Sequence, residues 1–455
     1  ADLQATTTAE TNVAAGDDTG TFVTTTTDAT GTLTFNGTST VTGVVGSASN
    51  LAIGTINAGV ASETVTFNNM VYANAVAQSG TGTIVFNEGL VTTKRSVSST
   101  TLGQIAFTAN DGLVQIASGK DLIGNVTATN GNGTLTMIGG TQSITGDVGA
   151  TGAAIKVLNI GGTNSTLGID NSANAYSTTT INGNVFALDT VFNNDGTTNN
   201  STLNMVADKS ITSTITTTDN GMGILNMQGG TQTVTGTVGT NGMRLDQVNS
   251  GVAGASTTFT ANVFADTVTN TANGSSTFNA DVTATNAINV NTGTTLISGN
   301  ATVDGASGAI NITTGTGTVA GTTTLSGANS SINIGSGTGN FKNTTSVNGN
   351  VIIATGTANF NETAGTTTVS SLNFTDTGTA NLHGNMTGDI AFAGNQATVN
   401  VWDGKSITGT SITTTTANTG TVNYRGDGTI NTAVGASGMG IAALNINTEN
   451  QQDTA

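Results

Sequence analysis

The chain has no proline and no cysteine, one histidine, one tryptophan, three tyrosines, and only 8% charged residues in 455. Without cysteine no disulfide can hold the fold, and such chains are common among proteins that cross a periplasm unfolded. With a single histidine, a zinc or other transition-metal centre lacks its usual nitrogen and sulfur donors. Nine basic residues stand against 26 acidic ones, a net charge of −17, and they are scattered from Lys94 to Arg425. That distribution excludes the clustered Lys and Arg that bind nucleic acid, and it argues against an anionic membrane face. No apolar run approaches the roughly 20 residues needed to span a bilayer. No positively charged apolar leader precedes Ala1-Asp2-Leu3, a start that suits a mature end left by leader removal.

What is present is Thr, Asn, Val, Ala and 63 glycines. Thr and Val favour strands, Gly and Asn favour turns, and no stretch places apolar residues at i, i+3, i+4 and i+7. Short alternations such as Leu33-Thr34-Phe35, Leu135-Thr136-Met137, Ile332-Asn333-Ile334 and Leu444-Asn445-Ile446 read as half-buried strands rather than a disordered tract. The expected class is all-β.

The strands sit inside a repeated phrase. Val-Gln-Ile-Ala-Ser-Gly-Lys-Asp from Val114, Leu-Asn-Met-Val-Ala-Asp-Lys-Ser from Leu203 and Val-Asn-Val-Trp-Asp-Gly-Lys-Ser from Val399 open it, and Gly16-Asp17-Asp18 opens an earlier copy. The phrase closes at Gly46, Gly149, Gly239 and Gly435, a near-constant 29 or 30 residues after Asp17, Lys120, Lys209 and Lys405. A second phrase ends at Ala73, Ala187 and Ala265, and its variant ending at Ala354 fills the place of a worn copy near Thr294. Five modules result, at about 12–114, 115–203, 204–288, 289–399 and 400–455.

Two architectures fit. One is a single elongated β-solenoid over residues 1–455, parallel β-helix-like, in which each coil pairs with the next. The other is a row of Ig-like β-sandwich domains. The solenoid is preferred because the chain, with one Trp and three Tyr, lacks the buried aromatic anchors a sandwich core commonly uses, and because module spacing varies by about one coil, which a stack absorbs. With coils of ~20 residues the chain would make ~23. Exposed terminal coils would carry unpaired strand edges, and neither proline nor a charged cap blunts Ile441-Ala-Ala-Leu-Asn-Ile446. Ala1, Leu3, Ile441, Leu444 and Ile446 are therefore the candidate assembly residues, acting by strand addition to a neighbouring copy.

The run from Gly31 to Gly46, Gly-Thr-Leu-Thr-Phe-Asn-Gly-Thr-Ser-Thr-Val-Thr-Gly-Val-Val-Gly, followed by the Thr-Val-Thr-Phe-Asn-Asn and Asn-Val-Phe-Ala units, resembles bacterial autotransporter passengers. It is most similar to the rickettsial outer-membrane protein B type. The resemblance implies a secreted β-solenoid on a bacterial surface, with roles in surface-layer formation or adhesion. Such proteins end in a translocating β-barrel, and Asn450-Gln-Gln-Asp-Thr-Ala455 follows no strand series of that kind. The resemblance then leaves a passenger without its barrel or a free-standing subunit.

Catalytic chemistry is hard to assemble. His383, in Asn381-Leu382-His383-Gly384-Asn385, reads as an exposed turn residue without triad partners. Asp17-Asp18 is the only adjacent acidic pair and has no Arg near it, so a glycan-active β-helix is the weaker alternative and no enzyme is expected. Calcium is the one ion the Asp/Asn/Gly turns would suit, with Asp17, Asp18 and Asp195 as candidate ligands, though ordinary turns account for them more simply. Otherwise no cofactor is expected. A covalent Lys–Asn cross-link at Lys120, Lys209 and Lys405 is set aside for solvated turn lysines. The Gly-rich run from Gly315 to Gly321 precedes no helix and is no phosphate cradle. Trp402 and Tyr424 read as packing or contact residues, with a sugar platform as the alternative.

The expectation is a non-catalytic extracellular structural protein, a self-assembling subunit of a bacterial cell-surface filament or surface layer whose partners are identical copies. The alternative is a monomeric adhesin passenger that binds a host or neighbouring-cell ligand along its flank.

Overall fold

In Ala309–Ile312 the two isoleucines face inward while Ala309 and Asn311 are only half-buried, and Ser331–Ile334, Thr357–Phe360 and Thr379–Leu382 repeat the pattern. Period-two burial of this kind produces one apolar and one polar face per strand. The structure, a computed structural model, describes residues 3–5, 10–16, 18–19, 22–24, 27–47, 51–91, 93–96, 99–108, 111–162, 176–194 and 199–446. All regular structure among them is β, with no helix. The stacked parallel sheets form a β-solenoid of about 18 turns. This is fewer than the ~20-residue coil predicts, because corners and insertions lengthen many coils. Two compact units are present, residues 1–228 with 233–246 and residues 229–232 with 247–455.

In the second unit each coil lays down three strands. One ladder climbs through Ser275–Phe278, Thr294–Ile297, Thr316–Val319 and Thr338–Phe341 and continues to Ile441–Ile446. A second passes through Ala301–Val303 and Thr323–Leu325, and a third through Ala309–Ile312 and Ser331–Ile334. In shorter coils the last two merge into one bulged strand such as Thr345–Ile353. Successive partners Thr294, Thr316, Thr338 and Thr357 lie 22, 22 and 19 residues apart. The strands keep register and the corners take up the difference.

The first unit follows the same plan less regularly. Partners Ile84, Val114, Leu135, Leu158 and Thr190 are 30, 21, 23 and 32 residues apart. One enlarged coil carries an antiparallel hairpin, Thr93–Ser96 with Ser99–Leu102. Apart from that hairpin and three isolated bridges, every described pairing is parallel. Ig-like sandwiches are antiparallel, so that architecture is excluded.

Interior columns hold the coils together. Among the described residues eleven phenylalanines are fully buried, and in the second unit Phe259 stacks on Phe278 at 4.7 Å and Phe341 on Phe360 at 5.4 Å. Such pairs contribute about 0.5–1.5 kcal/mol each beyond burial. The aromatic anchors are thus phenylalanines shared between neighbouring coils. Corners are tied by side chains that accept the backbone N–H one coil later: Asp281 Oδ1 from Asn300, and Asn300 Oδ1 from Thr322 in the second unit. In the first, Asn125 Oδ1 accepts from Asp147 and Asp147 Oδ1 from Asn184.

These contacts explain the repeated phrase. The N–H groups of Lys120, Lys209 and Lys405 each donate to the carbonyl three residues earlier, closing a turn on Ala117, Val206 and Trp402. The residue before each lysine is left-handed: Gly119 at φ 71°, Asp208 at 62° and Gly404 at 69°. Only Gly, Asp or Asn takes that conformation readily, so the turn dictates the Gly-Lys or Asp-Lys wording. The closing glycines are left-handed too, from φ 67° at Gly239 to 72° at Gly435. The second phrase is less uniform. Ala265 pairs within a strand with Ala284, whereas Ala354 lies beyond Thr345–Ile353, its N–H on the Ile334 carbonyl.

Candidate assembly surface

Ile441–Ile446 shows what an interior strand looks like without a cover. It pairs in parallel with Thr419–Tyr424, Val422 opposite Leu444, Asn423 opposite Asn445 and Tyr424 opposite Ile446. Its other edge has no partner among the described residues. One coil earlier, Val422 and Tyr424 are buried, as are Val399 and Val401 two coils earlier. At the same positions Leu444 is 38% and Ile446 63% exposed. In the neighbouring ladder of this last coil Val434 is 37% exposed opposite the buried Ile412, Met439 in the bridged turn Ala436–Met439 is 43% exposed, and Ile441 is half-buried.

A polar row runs beside it. Asn359, Asn381, Asn400, Asn423 and Asn445 each donate through Nδ2 to the Oδ1 of the asparagine one coil before, at 2.7–2.9 Å, beginning from Asn340. Every donor points toward lower residue numbers. The first unit keeps this sense: Asn226 donates to Asn204 at 2.8 Å and Asn159 to Thr136 at 3.0 Å. At its start, Asn36 donates to Asn12 at 3.4 Å. Stacked amides of this kind reward a partner that continues the row in the same direction.

Of the other assembly residues expected from sequence, Ala1 lies outside the described residues and Leu3 belongs to Leu3–Ala5, paired in parallel with Phe22–Thr24. The calcium candidates Asp17 and Asp195 also lie outside them, and Asp18 sits in a short strand opposite Thr40. Among the described residues no group of three or more His, Asp or Glu side chains is arranged to hold a metal ion. Among the described residues no helix is long and apolar enough to cross a membrane.

His383 is not a bare loop residue. Its ring stacks on Trp402 at 3.7 Å, and the Arg425 guanidinium lies 4.2 Å over the Trp402 ring. The three residues follow the same strand position in successive coils, their N–H groups donating to Phe360, Leu382 and Val401. Sequence reading missed this column because it needs the 19- and 23-residue coil lengths to align them. A stack of rings and a cation is a packing contact. Tyr424 is buried, its phenol donating to the Thr429 carbonyl at 3.3 Å, and burial pushes its pKa up to about 12. Lys120 pairs with Glu88 at 2.6 Å with both side chains substantially exposed, as a turn lysine would.

Fold and surface together define a parallel β-solenoid whose last described coil carries an open apolar strand. Comparison with family models, with curated proteins and with solved structures finds no match.

Proposed function

We propose that the chain is a non-catalytic structural subunit that joins copies of itself through this strand into a filament or layer. The observation that carries the reading is that Val434, Leu444 and Ile446 are exposed where their partners one coil earlier, Ile412, Val422 and Tyr424, are buried. A free parallel edge with alternating apolar residues is completed by another strand of the same alternation. Coils of this same chain have that alternation, and their amide rows point the same way. Asn445 presents Oδ1 on the side where another amide would donate, so a second copy continues both ladder and row. The bacterial cell surface is the setting suggested by the autotransporter resemblance.

Sedimentation and negative-stain microscopy test this directly. The chain should form polymers whose length grows with concentration, while Leu444→Asp with Ile446→Lys should leave single particles of unchanged circular dichroism. Monodisperse single particles at all concentrations would overturn the proposal and favour the adhesin alternative. A longer polypeptide that covers the strand with its own next coil would give the same overturning result.

A further inference from the structure

We infer that Asn241 is a self-modifying site, the one Asn-Gly pair in the described chain built to cyclise and deamidate. Eight asparagines precede glycine: Asn36, Asn130, Asn132, Asn182, Asn220, Asn241, Asn273 and Asn348. The reaction needs the glycine nitrogen to reach the asparagine Cγ, so that nitrogen must be uncommitted and the glycine free to swing.

Seven pairs fail one of these conditions. The N–H groups of Gly131, Gly221 and Gly274 are held by the carbonyls of Ala154, Arg244 and Gly251 at 2.8, 2.9 and 3.1 Å. Gly37, Gly133, Gly183 and Gly349 are buried, and the space beside each is filled by Ala15, Phe107, the Gly146 carbonyl and the Ser330 carbonyl respectively. Gly242 differs on both counts. It is exposed with nothing within 4 Å of the position a Cβ would take, and its N–H meets no partner among the described residues.

The pair forms the tip of a tight hairpin closed by Thr240 and Met243, whose N–H groups donate to each other's carbonyls at 2.9 and 3.2 Å. Two other turns share this closing bridge, Ala150–Ala153 and Ala436–Met439, and carry Thr151 and Ser437 in the place of Asn241; their glycines, Gly152 and Gly438, are left-handed at φ 73° and 79°, whereas Gly242 is not. The buried Arg244 adds a second element, its Nη2 donating to Asn241 Oδ1 at 3.0 Å. A charge-assisted donor there polarises the amide and stabilises the oxyanion formed on attack.

The chemistry balances with water alone. The Gly242 nitrogen, deprotonated to base, bonds to Asn241 Cγ; the Cγ–Nδ2 bond breaks and ammonia leaves, giving a succinimide. Water then opens either ring carbonyl, yielding aspartate or isoaspartate and adding one negative charge beside Arg244. No oxidant or cofactor is consumed.

Peptide mapping by mass spectrometry of the full folded chain, aged in mildly alkaline buffer, tests the site. The peptide containing Asn241 should gain the amide-to-acid mass increment about tenfold or more faster than any other Asn-Gly peptide, the factor expected when the others must first break a structural hydrogen bond or open a packed corner. Its rate should rise with pH, and Asn241→Ser should abolish that increment alone. After unfolding in denaturant the eight sites should converge. Equal rates at Asn130 or Asn220 in the folded chain, or an unmodified Asn241 while other pairs react, would overturn the inference.

Discussion

Asn381 stands midway in a row of amides, donating to Asn359 Oδ1 at 2.7 Å while its own Oδ1 accepts from Asn400 at 2.8 Å. Removing it breaks two bonds and strands two half-buried partners. Asn381→Ala is therefore expected to destabilise the second unit by about 1–3 kcal/mol, whereas Asn445→Ala, at the end of the row, should cost about half as much. Denaturant midpoints of the two variants check this. Equal losses would mean the row is a by-product of backbone pairing rather than a contributor.

Coils approach so closely at some corners that a methyl group has no room. A Cβ on Gly293 would overlap the Gly274 carbonyl oxygen, and backbone cannot move aside as a side chain can. Gly293→Ala should destabilise by about 1–3 kcal/mol and open nearby bonds to proteolysis. Gly440→Ala, where nothing lies within 4 Å, should be near neutral. Similar stability of the two variants would show the corner to be more yielding than its geometry implies.

Tyr424 makes alkaline stability predictable. Burial raises its phenol from 10.0 to about 12, with a backbone hydrogen bond from Ile407 partly opposing the shift. Because the folded state binds the proton more tightly, the contribution is complete below pH 10 and is lost as pH rises toward 12. Thermal melts of the protein across that range should fall more steeply than those of Tyr424→Phe. Parallel slopes would place the alkaline transition elsewhere.

Much of this fold was legible beforehand because one rule is written many times. Ile332-Asn333-Ile334 and Leu444-Asn445-Ile446 announce strands with an inner and an outer side, and the left-handed turn before each repeated lysine requires Gly or Asp. Contacts between coils were not legible, since they depend on where each corner ends. Trp402 meets residues 19 before and 23 after it, and the asparagine row appears only once strands of unequal spacing are aligned. The same uncertainty let Ala354 pass for a match of Ala265 although it stands past its strand.

The five-residue corner 304–308 separates two ladders that Thr345–Ile353 joins without a break, yet the rungs on either side stay aligned. A molecule so constructed divides its labour by position. Its straight stretches are a template that tolerates little editing, while its bends are open sites for length change, where new sequence can be displayed without disturbing what lies beneath.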